Sequence, residues 1–256
     1  MTNSTPYKDL FSRQSSDYAK FRPTYPQSLF QFLASQAPHA NLAWDCGTGN
    51  GQSAVQLAQF FKHVIATDPS QKQLEHSISH PKVKYRQEPA EHSSLENHSV
   101  DLITVAQAFH WFRQADFFSE VKRVLKPCGL LALWCYELAI ISPAVDALVY
   151  HLYKDLLGSY WEQERLLVEE GYRFVDFAAD LAFTEIALPS FEMGSNWSLE
   201  HLVGYLSTWS ALQAFIQKNH TDPLEALYPE LQAAWGNTPI HPVRWKLATR
   251  ACRRPK

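Results

Sequence analysis

The residues best suited to ligand chemistry stand at the ends of short apolar segments in the first half of the chain. Asp45 is followed by glycines at positions 47, 49 and 51. Glycine permits positive φ and lets a ligand approach the backbone closely, and a helix that begins after such a turn offers unpaired amides. Alone, this Gly-x-Gly-x-Gly turn is a weak signal, because a purely structural turn has the same composition.

Two carboxylates narrow what the turn would bind. Asp45, directly before it, would repel a pyrophosphate but would pair with the ammonium group of an amino acid, directly or through water. Asp68, at the end of the next apolar segment, is suited to accept from both hydroxyls of a ribose, because charge-assisted hydrogen bonds are strong. The alternative for Asp68 is the N-cap of a helix that starts near Ser70.

A third segment ends in Glu88-Pro89-Ala90-Glu91. A carboxylate or carbonyl here would accept from an adenine amino group, and the amide of Ala90 would donate to a ring nitrogen. A surface loop with two solvated glutamates is an equally good explanation of this segment.

An alternation of strands and helices positions these residues. Apolar runs predict strands, and apolar residues at helical spacing predict the helices between them. This order is typical of a mostly parallel, doubly wound α/β sheet with helices on both faces, in which ligands bind at the carboxyl ends of the strands. The predicted strands are Asn41–Asp45, His63–Thr67, Lys82–Arg86, Val100–Val105 and Leu130–Cys135, and the predicted helices are Gln52–Phe61, Gln71–Ser79 and Asp116–Leu125.

The pattern is looser after residue 140. We expect the last two strands to form an antiparallel pair at one side of the sheet. The predicted elements are a helix over Pro143–Leu157, a partly helical Tyr160–Asp180, an extended Phe183–Trp197, a helix over Ser198–Lys218 with Ser198 as its N-cap, and a strand over Val243–Ala251.

The composition sets broad limits. The 256 residues with a formal net charge of −3 fit one large α/β domain, and nothing in them predicts a nucleic-acid or membrane partner. The four cysteines form no Cys-x-x-Cys pair and no zinc-type spacing, so we expect reduced thiols, no metal and a cytoplasmic protein. A monomer and a homodimer are both compatible with the sequence.

Together the motifs resemble those of class I S-adenosylmethionine (SAM)-dependent methyltransferases of type 11. Within this class the chain is similar to the group of trans-aconitate and ubiquinone/menaquinone-type methyltransferases. The likeness covers about residues 7–137, is thin over 140–190, and departs from the family at Cys128, where a second glycine is usual. The motifs that carry it are Asp45–Gly51, Asp68-Pro69-Ser70, Pro89-Ala90-Glu91, Val105–Phe112, Arg123–Gly129 and Tyr205–Ser210.

The resemblance implies a Rossmann-like sheet of seven strands in a single methyltransferase domain. It divides the chain into an N-terminal lid at 1–26, a SAM-binding core at 27–137, a helical insertion or substrate cap after the fifth strand at 138–197, and a C-terminal part at 198–256 that completes the sheet. The implied activity is transfer of a methyl group from SAM to a small-molecule acceptor, which includes carboxylic acids.

The resemblance also assigns cofactor residues. It places Gly47, Gly49 and Asn50 along the methionine end of SAM with Asp45 nearby, and it places Asp68 at the ribose. Gln107 would face the sulfur. The implied cofactor-binding set is Tyr18, Arg22, Asp45, Gly47, Thr48, Gly49, Asn50, Asp68, Pro69, Ser70, Ala90, Glu91 and Gln107.

Fewer residues of the sequence can be assigned to binding the methyl acceptor. Arg22 in the lid would hold a carboxylate with its guanidinium fork. His110 is the candidate catalytic base, although a hydrogen bond in the cavity wall explains it equally well, and a carboxylate is already ionised at neutral pH and needs no base. Methyl transfer would then be an in-line displacement governed by positioning. The candidate substrate-binding residues are Tyr18, Arg22, His110, Trp111 and Trp209.

Three other kinds of protein have a similar glycine turn between a strand and a helix. An NAD(P)-dependent oxidoreductase needs its third glycine at position 52, where the chain has Gln52. A nucleic-acid amino methyltransferase usually has Asn/Asp-Pro-Pro-Tyr/Phe after the fourth strand, where this chain has Ala106-Gln107-Ala108-Phe109. A non-catalytic SAM-binding regulator would carry the same glycine turn and carboxylates, so it stays open at this point.

Overall fold

The computed structural model describes residues 23–256. Most of the lid expected at 1–26 therefore lies outside the described residues. Tyr18 and Arg22, both assigned to the cofactor and the acceptor, lie outside them as well.

The first half of the described chain alternates strands and helices as the sequence predicts. The turn at Gly51 starts a helix one residue later, and Pro26 precedes the first helix. The elements are α1 (Gln27–Gln36), β1 (Leu42–Cys46), α2 (Gln52–Leu57), β2 (His63–Asp68), α3 (Gln71–Glu75), β3 (Val83–Gln87), β4 (Val100–Ala106), α4 (Gln114–Val124) and β5 (Leu125–Tyr136).

The second half contains short helices followed by the remaining strands. It comprises α5 (Pro143–Tyr150), continued by a π-helical stretch over His151–Leu156, then α6 (Arg165–Glu169), α7 (Phe177–Leu181), β6 (Thr184–Glu185), β7 (Phe191–Trp197), α8 (Leu199–Ser207), α9 (Ser210–Asn219), α10 (Pro223–Trp235) and β8 (His241–Arg253).

The sheet has the order β3-β2-β1-β4-β5-β8-β6, and β7 also pairs with β8. The pairs among β1 to β5 are parallel, whereas β8 runs antiparallel to β5, β6 and β7. The chain direction across the sheet reverses between β1 and β4, so their carboxyl ends flank the switch point where ligands bind in such folds. The predicted doubly wound sheet and the antiparallel final pair are confirmed.

The described residues form eight strands rather than seven. Thr184 pairs with Arg253 and Phe191 pairs with Leu247, so β6 and β7 lie along successive parts of the same edge of β8. The two strands share one position in the sheet, because β8, at 13 residues, is long enough for both.

Two boundaries differ from the sequence prediction for local reasons. The residues between the predicted helix Asp116–Leu125 and the predicted strand Leu130–Cys135 form a bulge within β5, where Val100 pairs with Leu125 but Leu102 pairs with Leu130, and Cys128 has a φ of 64°. The helix expected over Ser198–Lys218 is two helices, because the backbone of Trp209 is extended. Ser198 is the N-cap as predicted, and α10 was not predicted.

Apolar residues fill both faces of the sheet. Along β5, Leu130, Ala132 and Trp134 belong to one buried cluster, whereas Leu131, Leu133 and Cys135 belong to the other. This period of two is the strand pattern, and it shows that helices cover the two faces. Within residues 23–256, none of the helices has the length and apolar character needed to cross a membrane.

Candidate active site

A cavity of about 440 Å³ opens at the carboxyl ends of the parallel strands. Its walls are formed mainly by the ends of β1 to β5 and the loops that follow them, together with Pro23 and Tyr25 before α1 and Glu164 from the segment 138–197. The described residues that line it are Pro23, Tyr25, Gly47, Thr48, Gly49, Asn50, Gln52, Ser53, Asp68, Pro69, Gln73, Pro89, Ala90, Glu91, Ala106, Gln107, Ala108, His110, Trp111, Phe112, Arg113, Tyr136 and Glu164.

The glycine turn is held in place by close packing. Gly47 has a φ of 68°, and a Cβ there would lie 2.6 Å from the Cβ of Ala108. At Gly51 a Cβ would lie 2.1 Å from the hydroxyl of Tyr85. At Gly49 the nearest atom would be 3.9 Å away, so space remains beside this residue. The outer glycines are therefore required by the fold, and Gly49 leaves room for a ligand.

Asp45 lies behind the cavity wall rather than in it. Its carboxylate is 1% exposed and accepts hydrogen bonds from the hydroxyls of Thr48 at 2.5 Å and Thr104 at 2.7 Å. Burial raises the pKa of Asp45 to about 6, against the lowering effect of the two hydroxyls. Thr48 lines the cavity, so Asp45 influences a ligand through this side chain and through its own charge.

Asp68 connects the glycine turn to the end of β2. Its carboxylate accepts from the amide of Gly49 at 2.9 Å and from the amide of Ser70 at 2.9 Å. The helix cap considered for Asp68 is made by Ser70, whose hydroxyl accepts from the amide of Gln73 at 3.3 Å. Asp68 lines the cavity, whereas Ser70, which the resemblance includes in the cofactor-binding set, is buried in its cap and does not line it.

The loop after β3 contributes Pro89, Ala90 and Glu91 to the wall. The carboxylate of Glu91 accepts from the amide of Arg113 at 2.8 Å, and the carboxylate of Glu88 accepts from the amide of Ser94 at 3.0 Å. Both glutamates therefore hold backbone amides of neighbouring loops rather than standing free in solvent. Ala90, at 5% exposure, presents a small apolar surface to the cavity.

Gln107, directly after β4, has the conformation of a constrained site residue. Its φ is 53°, which is unusual for a residue other than glycine. Its amide donates to the carbonyl of Trp134 at 2.9 Å, and its side-chain Nε2 donates weakly to Tyr136 at 3.4 Å. The Oε1 atom is buried and has no hydrogen-bond partner among residues 23–256, so it is an acceptor available to a bound ligand.

His110 lies in a short 3-10 helix, Phe109–Trp111, on the acceptor side. Its Nδ1 is 3.0 Å from the hydroxyl of Tyr172, and its ring centroid is 4.8 Å from that of Trp111. Burial, and to a smaller degree the charge of Arg165, lower the pKa of His110 to about 3. The imidazole is therefore neutral at physiological pH.

Not every candidate residue reaches this cavity. Trp209 is buried against the segment 138–197, with ring centroids 5.6 Å from Trp161 and 5.7 Å from Tyr153, and it does not line the cavity. Sequence reasoning missed Tyr136 and Tyr172. Tyr136 was accessible from the rule that strand ends carry ligand contacts, whereas nothing in the pattern around Tyr172 indicated its role.

The described residues fit SAM. Carboxylates at Asp45 and Asp68 suit an ammonium group and ribose hydroxyls, the glycine turn leaves the backbone accessible, and the unpartnered Gln107 Oε1 accepts from a ligand donor. The cavity volume falls in the usual range of about 300–1,000 Å³ for small-ligand sites.

Comparison with known proteins agrees with this geometry. Residues 44–133 match a family described as the methyltransferase domain. A protein of Dictyostelium discoideum that is named as a methyltransferase is 37% identical over 238 residues, which are 91% of this chain and 89% of that protein. A solved structure described as a type II methyltransferase, from Anaeromyxobacter dehalogenans, has a TM-score of 0.84 and 42% identity, and the match covers 92% of this chain and 100% of that chain.

A more distant structure shares the fold. The phosphoethanolamine N-methyltransferase 2 of Haemonchus contortus, solved with phosphomonomethylethanolamine and S-adenosylhomocysteine, has a TM-score of 0.51 and 17% identity, covering 100% of this chain and 62% of that chain. These matches favour methyl transfer over the NAD(P)-dependent alternative. The chain belongs to the class I SAM-dependent methyltransferases, and SAM is its cofactor.

Proposed function

We propose that this methyltransferase transfers the methyl group of SAM to a small molecule whose reacting atom is a carboxylate oxygen. The observation that carries the proposal is the cavity itself. The glycine turn lines one part of it, His110 and Trp111 line another, and its volume of about 440 Å³ suits a cofactor with a small acceptor.

The cofactor half of the cavity is lined by Gly47–Asn50, Asp68 and Ala90, and Asp45 lies behind Thr48. We assign the ribose to Asp68 and the ammonium group to the region of Thr48 and Asp45. Pro69 and Ala90 would flank the adenine. The support for these roles is the position of the residues at successive strand ends, with the two carboxylates already ordered by hydrogen bonds.

The acceptor half is lined by His110, Trp111 and Glu164, and Tyr172 lies behind His110. The segment 138–197 contributes Glu164 to the cavity and Tyr172 behind His110, which supports its proposed role as a cap on the acceptor. Trp111 supplies an aromatic wall, and an aromatic wall of this kind excludes water from a reacting group.

When bound, SAM supplies a methyl group on a sulfonium. The acceptor oxygen forms the new O–C bond with its own electron pair as the S–C bond breaks and its pair remains on sulfur. A carboxylate is already ionised, so no proton is transferred. The residues of this chain then have to orient the acceptor in line with the S–C bond, and orientation alone contributes a large part of such rate enhancements.

The low pKa of His110, about 3, supports an acceptor of this kind. A histidine with that pKa is a poor proton acceptor at neutral pH, since general bases are most effective with a pKa near the working pH. Alcohol acceptors need such a base, and carboxylates do not. The resemblance to trans-aconitate methyltransferases is in accord with this choice.

The test combines binding with turnover. We expect calorimetry to show S-adenosylhomocysteine binding to the wild-type protein, and we expect radiolabel from methyl-tritiated SAM to pass to members of a panel of small mono-, di- and tricarboxylic acids. The matched amides and alcohols of the same acids are the controls. Cofactor binding together with methylation of the alcohols or of added amines, but not of the acids, would refute the carboxylate acceptor.

A further inference from the structure

Tyr172 forms a buried polar contact that the methyl-transfer chemistry does not itself require. Its side chain is 0% exposed. Its hydroxyl lies 3.0 Å from Nδ1 of His110 and also interacts with the backbone amide of His110. Burial raises the pKa of the Tyr172 phenol well above its ordinary value, so the hydroxyl keeps its proton.

This contact determines which imidazole nitrogen carries hydrogen. A buried hydroxyl has one proton to donate, and leaving it without an acceptor costs free energy. The acceptor within reach is Nδ1 of His110, so Nδ1 carries no hydrogen. In a neutral imidazole the hydrogen is then on Nε2, and His110 is one of the residues that line the cavity.

The surroundings keep this dyad uncharged. On its own helix His110 meets the ring of Trp111. From the segment 138–197 it meets Tyr172 and the field of Arg165, which opposes protonation of the imidazole. From β5, Cys135 lies close enough to influence Tyr172, and burial raises the pKa of that thiol to about 12, so it is neutral as well.

We propose that His110 binds the acceptor as a neutral hydrogen-bond donor, with Nε2–H directed at an anionic acceptor oxygen, and that Tyr172 is the positioning residue that fixes this tautomer. The proposal rests on the proposed carboxylate acceptor and assigns its recognition. His110 then replaces the general base considered from the sequence, because its Nε2 already holds a proton.

Within the described residues, three other carboxylates line the wall: Asp68 and Glu91 already accept from backbone amides, and Glu164 is tested below. The carboxylate of Asp68 accepts from two backbone amides, and that of Glu91 accepts from the amide of Arg113. The cavity wall in residues 23–256 has one arginine, Arg113, whose Nε donates to Asp116 at 2.7 Å. A neutral donor such as His110 can bind a carboxylate without the cost of burying a further charge.

The first experiment needs no acceptor. Two-bond nitrogen–proton correlations of the 15N-labelled protein with S-adenosylhomocysteine distinguish the two imidazole tautomers. We expect Nε2–H for His110 and no protonation between pH 5.5 and 8. Tyr172→Phe should give a mixture of tautomers, whereas the control Tyr153→Phe, which removes the hydroxyl that donates to Glu169 at 2.6 Å, should not. An Nδ1–H tautomer in the wild type, or titration near pH 6.5, would overturn the proposal.

The second experiment uses the acid of the panel that is methylated with the highest kcat/KM. His110→Ala should lower kcat/KM roughly 10- to 100-fold, mainly through KM, which corresponds to a lost hydrogen bond to a charged group. His110→Gln, which offers an amide N–H near the position of Nε2, should recover most of this loss. If His110 were a general base, both variants would lose kcat. The rate of the wild type would then rise with pH, and the rate of His110→Gln would not.

The two proposals fail in distinguishable ways. If no acid is methylated while cofactor binding is intact, the proposed acceptor is wrong, and the tautomer measurement still decides the state of the dyad. If acids are methylated but Glu164→Gln lowers kcat and removes its rise with pH, Glu164 acts as a base. The carboxylate acceptor is then still supported, and the role proposed for His110 is wrong.

Discussion

The cofactor half and the acceptor half of the cavity are built differently. In the cofactor half, the carboxylates connect adjacent strands: Asp68 in β2 accepts from Gly49 after β1, and Asp45 in β1 accepts from Thr104 in β4 and from Thr48 in its own turn. In the acceptor half, the central contact joins His110 to Tyr172, 62 residues away. The first half follows from the order of strands in the sheet, whereas the second depends on how a loosely patterned segment packs.

Their electrostatics differ in the same way. The cofactor half contains two carboxylates with little exposure, Asp45 and Asp68. The acceptor half contains an imidazole with a pKa of about 3 and a phenol that keeps its proton. A cationic cofactor group suits the first environment, and an anionic acceptor suits the second. The comparison therefore predicts that substitutions in one half change cofactor binding and those in the other change acceptor recognition.

Gly47→Ala should have the largest effect. Its Cβ would lie 2.6 Å from the Cβ of Ala108 and 3.1 Å from Phe112, at a φ of 68° that alanine tolerates poorly. We expect the free energy of unfolding to fall by about 2–4 kcal/mol, as for overpacking combined with backbone strain, and S-adenosylhomocysteine binding to be lost. Urea denaturation and calorimetry measure the two effects.

Gly194→Ala is the matched control. A Cβ at Gly194 would meet nothing within 4 Å, so stability should change by no more than about 0.5 kcal/mol. Equal losses in both variants would mean that the contact between the turn after β1 and the loop after β4 does not maintain the cofactor half.

Asp45→Asn should change the pH dependence of stability. The folded-state pKa of Asp45 is raised from 3.8 to about 6, so protonation favours the folded state. That stabilisation is complete below about pH 4 and is lost as the pH rises through 6, a total of about 3 kcal/mol. Relative to wild type, Asp45→Asn should therefore gain stability as the pH is raised from 4 to 7.

Denaturation of both proteins without cofactor at several pH values checks this difference. In the same series we expect Asp45→Asn to bind S-adenosylhomocysteine more weakly than wild type at pH 7, because the charge that attracts the ammonium group is gone. A variant that binds as tightly as wild type would separate Asp45 from the cofactor and leave it a structural acceptor for the two threonine hydroxyls.

Asp68→Ala should weaken S-adenosylhomocysteine binding by about 1.5–3 kcal/mol, the scale of hydrogen bonds to a charged group. Titration calorimetry measures the loss. Asp68→Asn, which keeps one acceptor oxygen, should lose less. If both variants keep wild-type affinity, the carboxylate serves only to order the amides of Gly49 and Ser70.

Trp209→Phe should have the smallest effect on the site. Trp209 is 5% exposed and packs against Trp161 and Tyr153, outside the cavity. We expect about 1 kcal/mol lower stability, in the usual range for a changed core residue, with unaltered cofactor affinity and unaltered KM for the acceptor. A raised KM with normal stability would return Trp209 to the acceptor half.

The strand ends that form the cofactor half could be predicted from the sequence because the signals for them are local. Apolar runs alternate with helical spacing, and strand ends in a parallel sheet meet at one edge, so Asp68 and Gln107 were placed without any contact information. It did not predict that the hydroxyl of Ser70 caps a helix or that the backbone breaks before α9, because capping and tertiary packing decide such details.

By itself, the amino-acid sequence determined the doubly wound sheet, the glycine turn and the carboxylates of the cofactor half, since each depends on residues close together in the chain. The tertiary structure alone decided the pairing of β6 and β7 with one edge of β8, the burial that raises the pKa of Asp45, and the contact between His110 and Tyr172. The physical reason is that burial and long-range contacts arise from the packing of distant segments, which periodicity does not record.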